Sequence, residues 1–140
     1  KAQYALDHTR KVLEYAKKYG LTLGWGTDLL DSLENRDLQL KDLAMRTDFG
    51  FTSAELMIQA TGNGGKTVAL CGKRNPYGKL GVIEEGAMAD ILIYSKNPLE
   101  DIKVVENHEE TLKLIIEDGD IVHNEYPTRL NRDRVLVRDE

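Results

Sequence analysis

The sequence predicts an α/β chain whose first half alternates helix and strand and whose second half is antiparallel β. Three observations carry this reading. An amphipathic helix pattern runs directly into a short apolar stretch, a helix-capping box follows further on, and two apolar runs near the C-terminus are joined by Asp118-Gly119. A helix feeding a short buried strand is the repeating step of a parallel sheet. An Asp-Gly pair between apolar runs is the signal of a type I′ hairpin.

Taken in order, residues 2–19 place Ala2, Ala5, Leu6, Thr9, Val12, Leu13 and Ala16 on one helical stripe, with Lys11, Glu14, Lys17 and Lys18 mostly opposite. Lys17 and Lys18 suit the negative end of a helix dipole, and Gly20 supplies the stop. Residues 21–25 are expected to form a strand buried on both faces. Residues 31–37 are polar and read as a loop, and a helix is expected from Leu38 to about Arg46. Thr52 and Glu55 form a T-x-x-E capping box ahead of a helix running to about Thr61. TGNGG at 61–65 reads as a breaker. Residues 89–94, 112–117 and 120–123 read as strands. The switch from α/β to antiparallel β suggests boundaries at 1–75, 76–124 and a charged tail at 125–140.

Composition narrows the classes. The 140 residues suffice for one domain with a modest core. An apolar fraction of 41% does not indicate disorder, and a formal charge of −5 lacks the clustered basic surface that nucleic acid requires. No apolar run approaches the roughly 20 residues needed to span a bilayer. One cysteine, Cys71, has no partner for an internal disulfide, which favours a reducing, cytoplasmic compartment. Cys71 reads as a buried or half-buried thiol rather than a nucleophile. The chain opens on Lys1, already within a helical pattern, so it is expected to be either trimmed or a fragment of something longer.

Residues 60–67, ATGNGGKT, fit the relaxed phosphate-loop pattern. Such a loop cradles phosphate with backbone N–H groups, and here Lys66 and Thr67 would serve the nucleotide. It must follow a buried strand and open a long helix. The preceding SAELMIQA is helix-forming, and Gly72 and Pro76 come soon afterwards. A glycine-rich helix end leading into a loop is the preferred reading.

Residues 24–28, GWGTD, put Asp28 directly after the expected strand. The C-terminal ends of parallel strands are where ligands and chemistry sit. A carboxylate there can bind a divalent cation or accept a proton, although an aspartate after a strand is also a common turn former or cap.

The segment from Gly78 to Asn124 resembles the C-terminal part of the amidohydrolase superfamily. The shared elements are Gly81-Val82-Ile83, Gly86-Ala87-Met88-Ala89-Asp90, the strand Ile91 to Tyr94, Asn97-Pro98-Leu99 and the final hairpin from Ile115 to Val122. Upstream, Gly26-Thr27-Asp28 matches the family's last barrel-strand element. Ser53, Glu55, Ala60 and Thr61 match its following helix, and Asn63-Gly64-Gly65 stands where the family often has Asn-Pro-Ala. The look is nearest to imidazolonepropionase-like and Xaa-Pro dipeptidase-like branches.

The resemblance implies the C-terminal part of a (β/α)8 barrel plus part of a composite β-sandwich. It implies a metal-dependent hydrolase of C–N bonds acting on a dipeptide or other small molecule. Asp28 would be the last ligand of a divalent metal, zinc in the first instance, and would accept a proton from the metal-activated water. The family's remaining ligands have no counterpart here. His8, His108 and His123 are isolated in sequence and read as surface or structural residues, in the opening helix, a polar loop and the region after the hairpin turn. A barrel of this kind takes roughly 250 residues, so the isolated chain is expected to be inactive. Its open strand edges invite self-association. Nucleic-acid and membrane partners are not expected. The competing readings are a non-catalytic module that keeps the same fold and, less favoured, a nucleotide-binding protein.

Overall fold

The computed structural model describes residues 2–28 and 36–127. The tail at 128–140 and most of the polar stretch at 31–37 lie outside these residues, as do the side chains of Ala2, Ala5 and Leu6.

Helix α1 (Ala2–Lys18) ends as its sequence dictates. Gly20 adopts φ +62°, a left-handed conformation that costs a glycine little. Leu21 N–H then donates to Ala16 O at 2.9 Å and Gly20 N–H to Lys17 O at 3.3 Å, the paired bonds of a Schellman cap. Of the expected apolar stripe, Leu13 and Ala16 are buried, whereas Thr9 and Val12 face solvent. The face that packs is therefore narrower than the pattern suggests.

Helix α2 (Arg36–Met45) runs into a 3-10 turn at Arg46–Phe49, which Gly50 closes. Helix α3 (Ser53–Ala60) carries the predicted capping box: Glu55 N–H donates to Thr52 Oγ1, and Thr52 N–H donates to Glu55 Oε2 at 2.8 Å. Lys17 reaches across from α1 to Glu55 Oε2 at 3.2 Å and donates to Gly50 O at 2.6 Å, so the cap also joins two helices. Ser53 accepts from Ile102 N–H at 3.1 Å and ties the start of α3 to the second half of the chain. Leu13, Leu43, Ala44, Phe51, Leu56, Ile102 and Val105 form one buried cluster, with Leu43 and Leu56 almost wholly enclosed. Tyr94 and Trp25 pack on its edge.

The expected breaker at 61–65 is overturned. Residues Gly62–Ala69 form helix α4. Glycine is a poor helix former, but here tertiary contact decides. A Cβ on Gly65 would lie 2.1 Å from Leu80 O, and one on Gly81, at φ +74°, would lie 2.2 Å from Thr61 O. The loop at 80–82 thus crosses the start of α4 at backbone contact distance, which only glycine permits. Cys71 is exposed rather than buried, because it follows α4 at its solvent end.

The expected strand at 21–25 is not present as a strand either. Residues 21–28 carry no regular secondary structure. No strand among the described residues lies beside them to supply a ladder, and Leu21 and Thr22 are exposed.

The second half contains a three-stranded antiparallel sheet, β1 (Ile91–Tyr94), β2 (Leu112–Glu117) and β3 (Asp120–Asn124), in the order β1-β2-β3. Two short helices, α5 (Lys103–Glu106) and α6 (His108–Thr111), fill the connection between β1 and β2. The polar region expected to be a loop around His108 is thus helical. The β2–β3 turn is as predicted, with φ +50° at Asp118 and +86° at Gly119. Asp90 accepts from Asp118 N–H at 2.9 Å, and Ala89 O accepts from Gly119 N–H at 3.1 Å. The Ala-Asp pair before β1 is therefore a clamp on the hairpin. No helix among the described residues is long and apolar enough to cross a membrane.

Two predictions follow from this packing. Gly81→Ala adds a left-handed backbone penalty of roughly 1–2 kcal/mol to a collision whose relief costs about 1–3 kcal/mol. Gly50→Ala, at φ +82° with nothing within 4 Å of its Cβ, incurs only the first. Urea unfolding should rank Gly81→Ala well below Gly50→Ala in stability; equal losses would contradict the crossing. The second concerns pH. Glu55 titrates below its ordinary value, chiefly because the Thr52 N–H donates to it and then because Lys17 lies beside it. A depressed folded-state pKa gives stability that is present above the unfolded value and lost as pH falls through the folded one. The gap between the native chain and Glu55→Gln in urea midpoint should therefore be full at pH 7 and shrink below about pH 4.5. A gap independent of pH would refute the cap's charge dependence.

Candidate active site

Asp28 stands at the end of the 21–28 segment, exposed and with φ +52°. The segment owes its place to side chains and helix ends rather than to neighbouring strands. Trp25 N–H donates to Gln59 O at 3.1 Å, in the last turn of α3. Trp25 Nε1 donates to Asp42 Oδ2 at 3.1 Å on α2. Arg46, just past α2, donates from one guanidinium nitrogen to Gln59 Oε1 at 2.8 Å and approaches Gly24 O at 3.4 Å. Its Nε lies 3.8 Å from Asp42 Oδ2. Asn63 Nδ2 on α4 donates to Leu23 O at 2.8 Å.

These contacts close into a ring through Trp25, Gln59, Arg46 and Asp42. Gln59 is 4% exposed, so its amide must be met inside the protein, and Arg46 meets it. A guanidinium serves here because it presents several fixed donors at once to a carbonyl, an amide oxygen and a carboxylate. Sequence reading missed Arg46, Asp42, Gln59 and Asn63. Their only signal was polar residues on otherwise apolar helix faces, Gln59 above all.

The structure does not bring Asp28 together with the histidines as a cluster. Among the described residues, no group of three or more His, Cys, Asp or Glu side chains is placed to hold a metal ion. His8 sits on α1, with Nδ1 2.8 Å from Tyr4 O and its ring against Tyr4. His108 opens α6, half-buried, with Nδ1 3.3 Å from Glu106 O. His123 lies within β3, where its Nε2 is 3.6 Å from Glu125, which Lys113 also pairs. A catalytic metal needs several protein donors, and the lone carboxylate of Asp28 does not make such a set among the described residues.

Lys66 and Thr67 are not arranged to cradle phosphate. A helix, α3, precedes them where a strand is required, and both lie inside α4. Thr67 Oγ1 donates to Asn63 O at 2.9 Å, and Lys66 reaches Asn63 Oδ1 at 3.3 Å. The glycines serve the crossing with residues 80–82 instead.

An open cleft of about 240 Å³ lies between the end of α1, the 21–23 stretch and α3. Its walls include Leu21, Leu23, Phe51 and Ile58, with Lys17, Glu55, Gln59 and Asn63 among the polar residues. Those polar groups are engaged in the contacts above, and Asp28 is not among the lining residues.

Comparison of the described fold with solved structures gives several clear likenesses, among them the following three. An amidohydrolase matches with a TM-score of 0.69 and 29% identity over 84% of this chain. A protein described as uncharacterized matches with a TM-score of 0.68 and 30% identity over 83%. A prolidase complexed with n-methylphosphonate-l-proline matches with a TM-score of 0.65 and 29% identity over 83%. In each case the chain spans 26% of the length of the structure it matches. No protein-family model matches the sequence, and comparison with curated proteins gives no match. The fold of this chain thus corresponds to about a quarter of structures described as an amidohydrolase and a prolidase.

Proposed function

We propose that this chain, with the fold of about a quarter of an amidohydrolase-superfamily structure, is part of a metal-dependent enzyme that hydrolyses amide bonds, and that Asp28 is its site carboxylate. The observation that carries the reading is the delivery of Asp28. A segment pinned by three helices ends on an exposed carboxylate with a left-handed backbone, in a fold shared with an amidohydrolase and a prolidase.

The substrate class is a dipeptide or another small amide, including cyclic amides. The cofactor is a divalent cation, zinc in the first instance. The described residues alone do not make a metal site, so its further donors come from elsewhere in the protein. Such a cation, when bound, makes a water acidic enough to yield a nucleophile near neutral pH. The contribution of this chain is a carboxylate oxygen of Asp28, which binds and then accepts and passes on a proton. Neither nucleic acid nor a membrane is part of the reading.

Two experiments test it. The purified 140-residue chain, supplied with Zn²⁺ or Mn²⁺, should turn over neither dipeptides nor cyclic amides. Metal-dependent turnover would show that the chain is a complete enzyme. In the full-length gene product, Asp28→Asn should lower kcat/KM for the amide substrate about 100-fold or more; turnover at the unaltered rate would remove Asp28 from the chemistry.

We further propose that the isolated chain self-associates. Leu92, Ile121 and Val122 leave much of the sheet's apolar surface open at 54%, 46% and 55% exposure, and the outer edges of β1 and β3 are unpaired among the described residues. Sizing chromatography should show concentration-dependent assembly. A compact monomer at every concentration would contradict it.

A further inference from the structure

We infer that Arg46, Asp42 and Gln59 are positioning residues for Asp28: their ring with Trp25 fixes the point from which the backbone runs out to the carboxylate. This rests on the reading of Asp28 as the site carboxylate.

A strand in a sheet is held by bonds along its whole length, and one lost bond leaves its direction unchanged. Residues 21–28 have no such ladder among the described residues. Trp25 is instead gripped at two nitrogens by two different helices, its backbone N–H by Gln59 O on α3 and its Nε1 by Asp42 on α2. Two bonds on one residue, to separate rigid elements, fix its orientation as well as its position. Arg46 makes the two grips one unit, because it contacts Asp42, Gln59 and Gly24 O together. Its side chain is only 15% exposed, so its bond to the buried Gln59 amide operates with little competition from water, whereas the Asp42 carboxylate, 43% exposed, is partly solvated. Asp28 follows three residues after Trp25, across Gly26, whose Cβ position is open space. Gly26 adds freedom to this link rather than stiffness, so what the ring fixes at Trp25 is the point from which the link to Asp28 starts. Lysine at position 46 would keep the charge but not the fork, and could not bridge all three acceptors.

The test reads order at residues 26–28 by ¹⁵N relaxation of the 140-residue chain without metal or substrate. The chain has one tryptophan, so a single indole N–H signal reports the Asp42 bond. In the native chain the amides of Gly26, Thr27 and Asp28 should have order parameters in the rigid range, about 0.85. In Arg46→Gln, Arg46→Lys and Asp42→Ala they should fall below about 0.6, while those of α1 and β1–β3 stay unchanged. Asp42→Ala should also move the indole signal to its solvent-exposed position. A residue that serves only stability would lower the melting temperature without this local loss. Rigid amides at 26–28 in both Arg46→Gln and Asp42→Ala would overturn the inference, as would low order there in the native chain. A uniform loss across all elements, or failure of both variants to fold, would equally assign these residues to the whole fold instead. Because no metal or substrate enters the measurement, a negative result removes the positioning role and leaves the chemical role of Asp28 to its own test.

Discussion

The ring that joins Trp25 to Asp42, Arg46 and Gln59 is the constraint on which the helical half of this protein depends. Each neutral hydrogen bond in it contributes only about 0.5–1.5 kcal/mol net. Its weight comes from what it would leave behind if broken. Gln59 is buried, and without the guanidinium its amide oxygen loses its partner; an orphaned polar group costs about 1–3 kcal/mol. Three pieces of chain far apart in sequence are thus tied by polar groups that have no cheaper partner. The apolar cluster of Leu13, Leu43, Leu56 and Val105 supplies the bulk of the burial. Apolar packing is non-directional, however, and does not by itself fix how the 21–28 segment lies on it.

The helices meet the rest of the chain by a second device of the same kind. At the crossing of α4 with residues 80–82, Gly65 and Gly81 let two backbones touch. At the other end of α3, Ser53 accepts from Ile102 N–H and so links the capping box to the start of α5. The sheet joins the core through Tyr94 and through the α5 residues Val104 and Val105, while its far side stays open. The second half is therefore attached to the first by the packing of α5 on α2 and by specific contacts along α3 and α4. A shift of those helices would carry the ring, and with it the segment leading to Asp28.

What was legible in the sequence was local. The capping box at Thr52 and Glu55, the stop at Gly20 and the hairpin at Asp118-Gly119 each involve residues within a few positions of one another, and each appears as read. The motifs that resemble amidohydrolases have structural roles of both kinds: Asn97 Oδ1 accepts from Leu99 N–H in a local turn, whereas Asp90 clamps a hairpin 28 residues further on. What failed was decided at a distance. Leu21 to Trp25 has the composition of a strand, but a strand is a relation between two segments, and no described residue supplies the second. The run at 61–65 has the composition of a breaker, and only the approach of Leu80 explains why glycines stand in a helix there. Of the candidate site, Asp28 was readable from its neighbours, whereas Asp42, Arg46 and Gln59 converge only in three dimensions.

The backbone at Asp28 gives the site an argument independent of resemblance. Among the described residues, two that are not glycine have positive φ, Asp28 and Asp118. Aspartate tolerates this region better than most residues, yet it still carries a cost. At Asp118 the cost has a local cause, because a type I′ turn demands it and Asp90 holds the turn closed. The described segment before Asp28 is irregular and supplies no strand for a hairpin. Backbone strain of this kind persists where surrounding structure over-determines it, and it concentrates at functional positions. The ring at Trp25 anchors the chain three residues before Asp28. A carboxylate held out by strained backbone from a rigid anchor has already met the ordering cost that binding or proton transfer would otherwise incur.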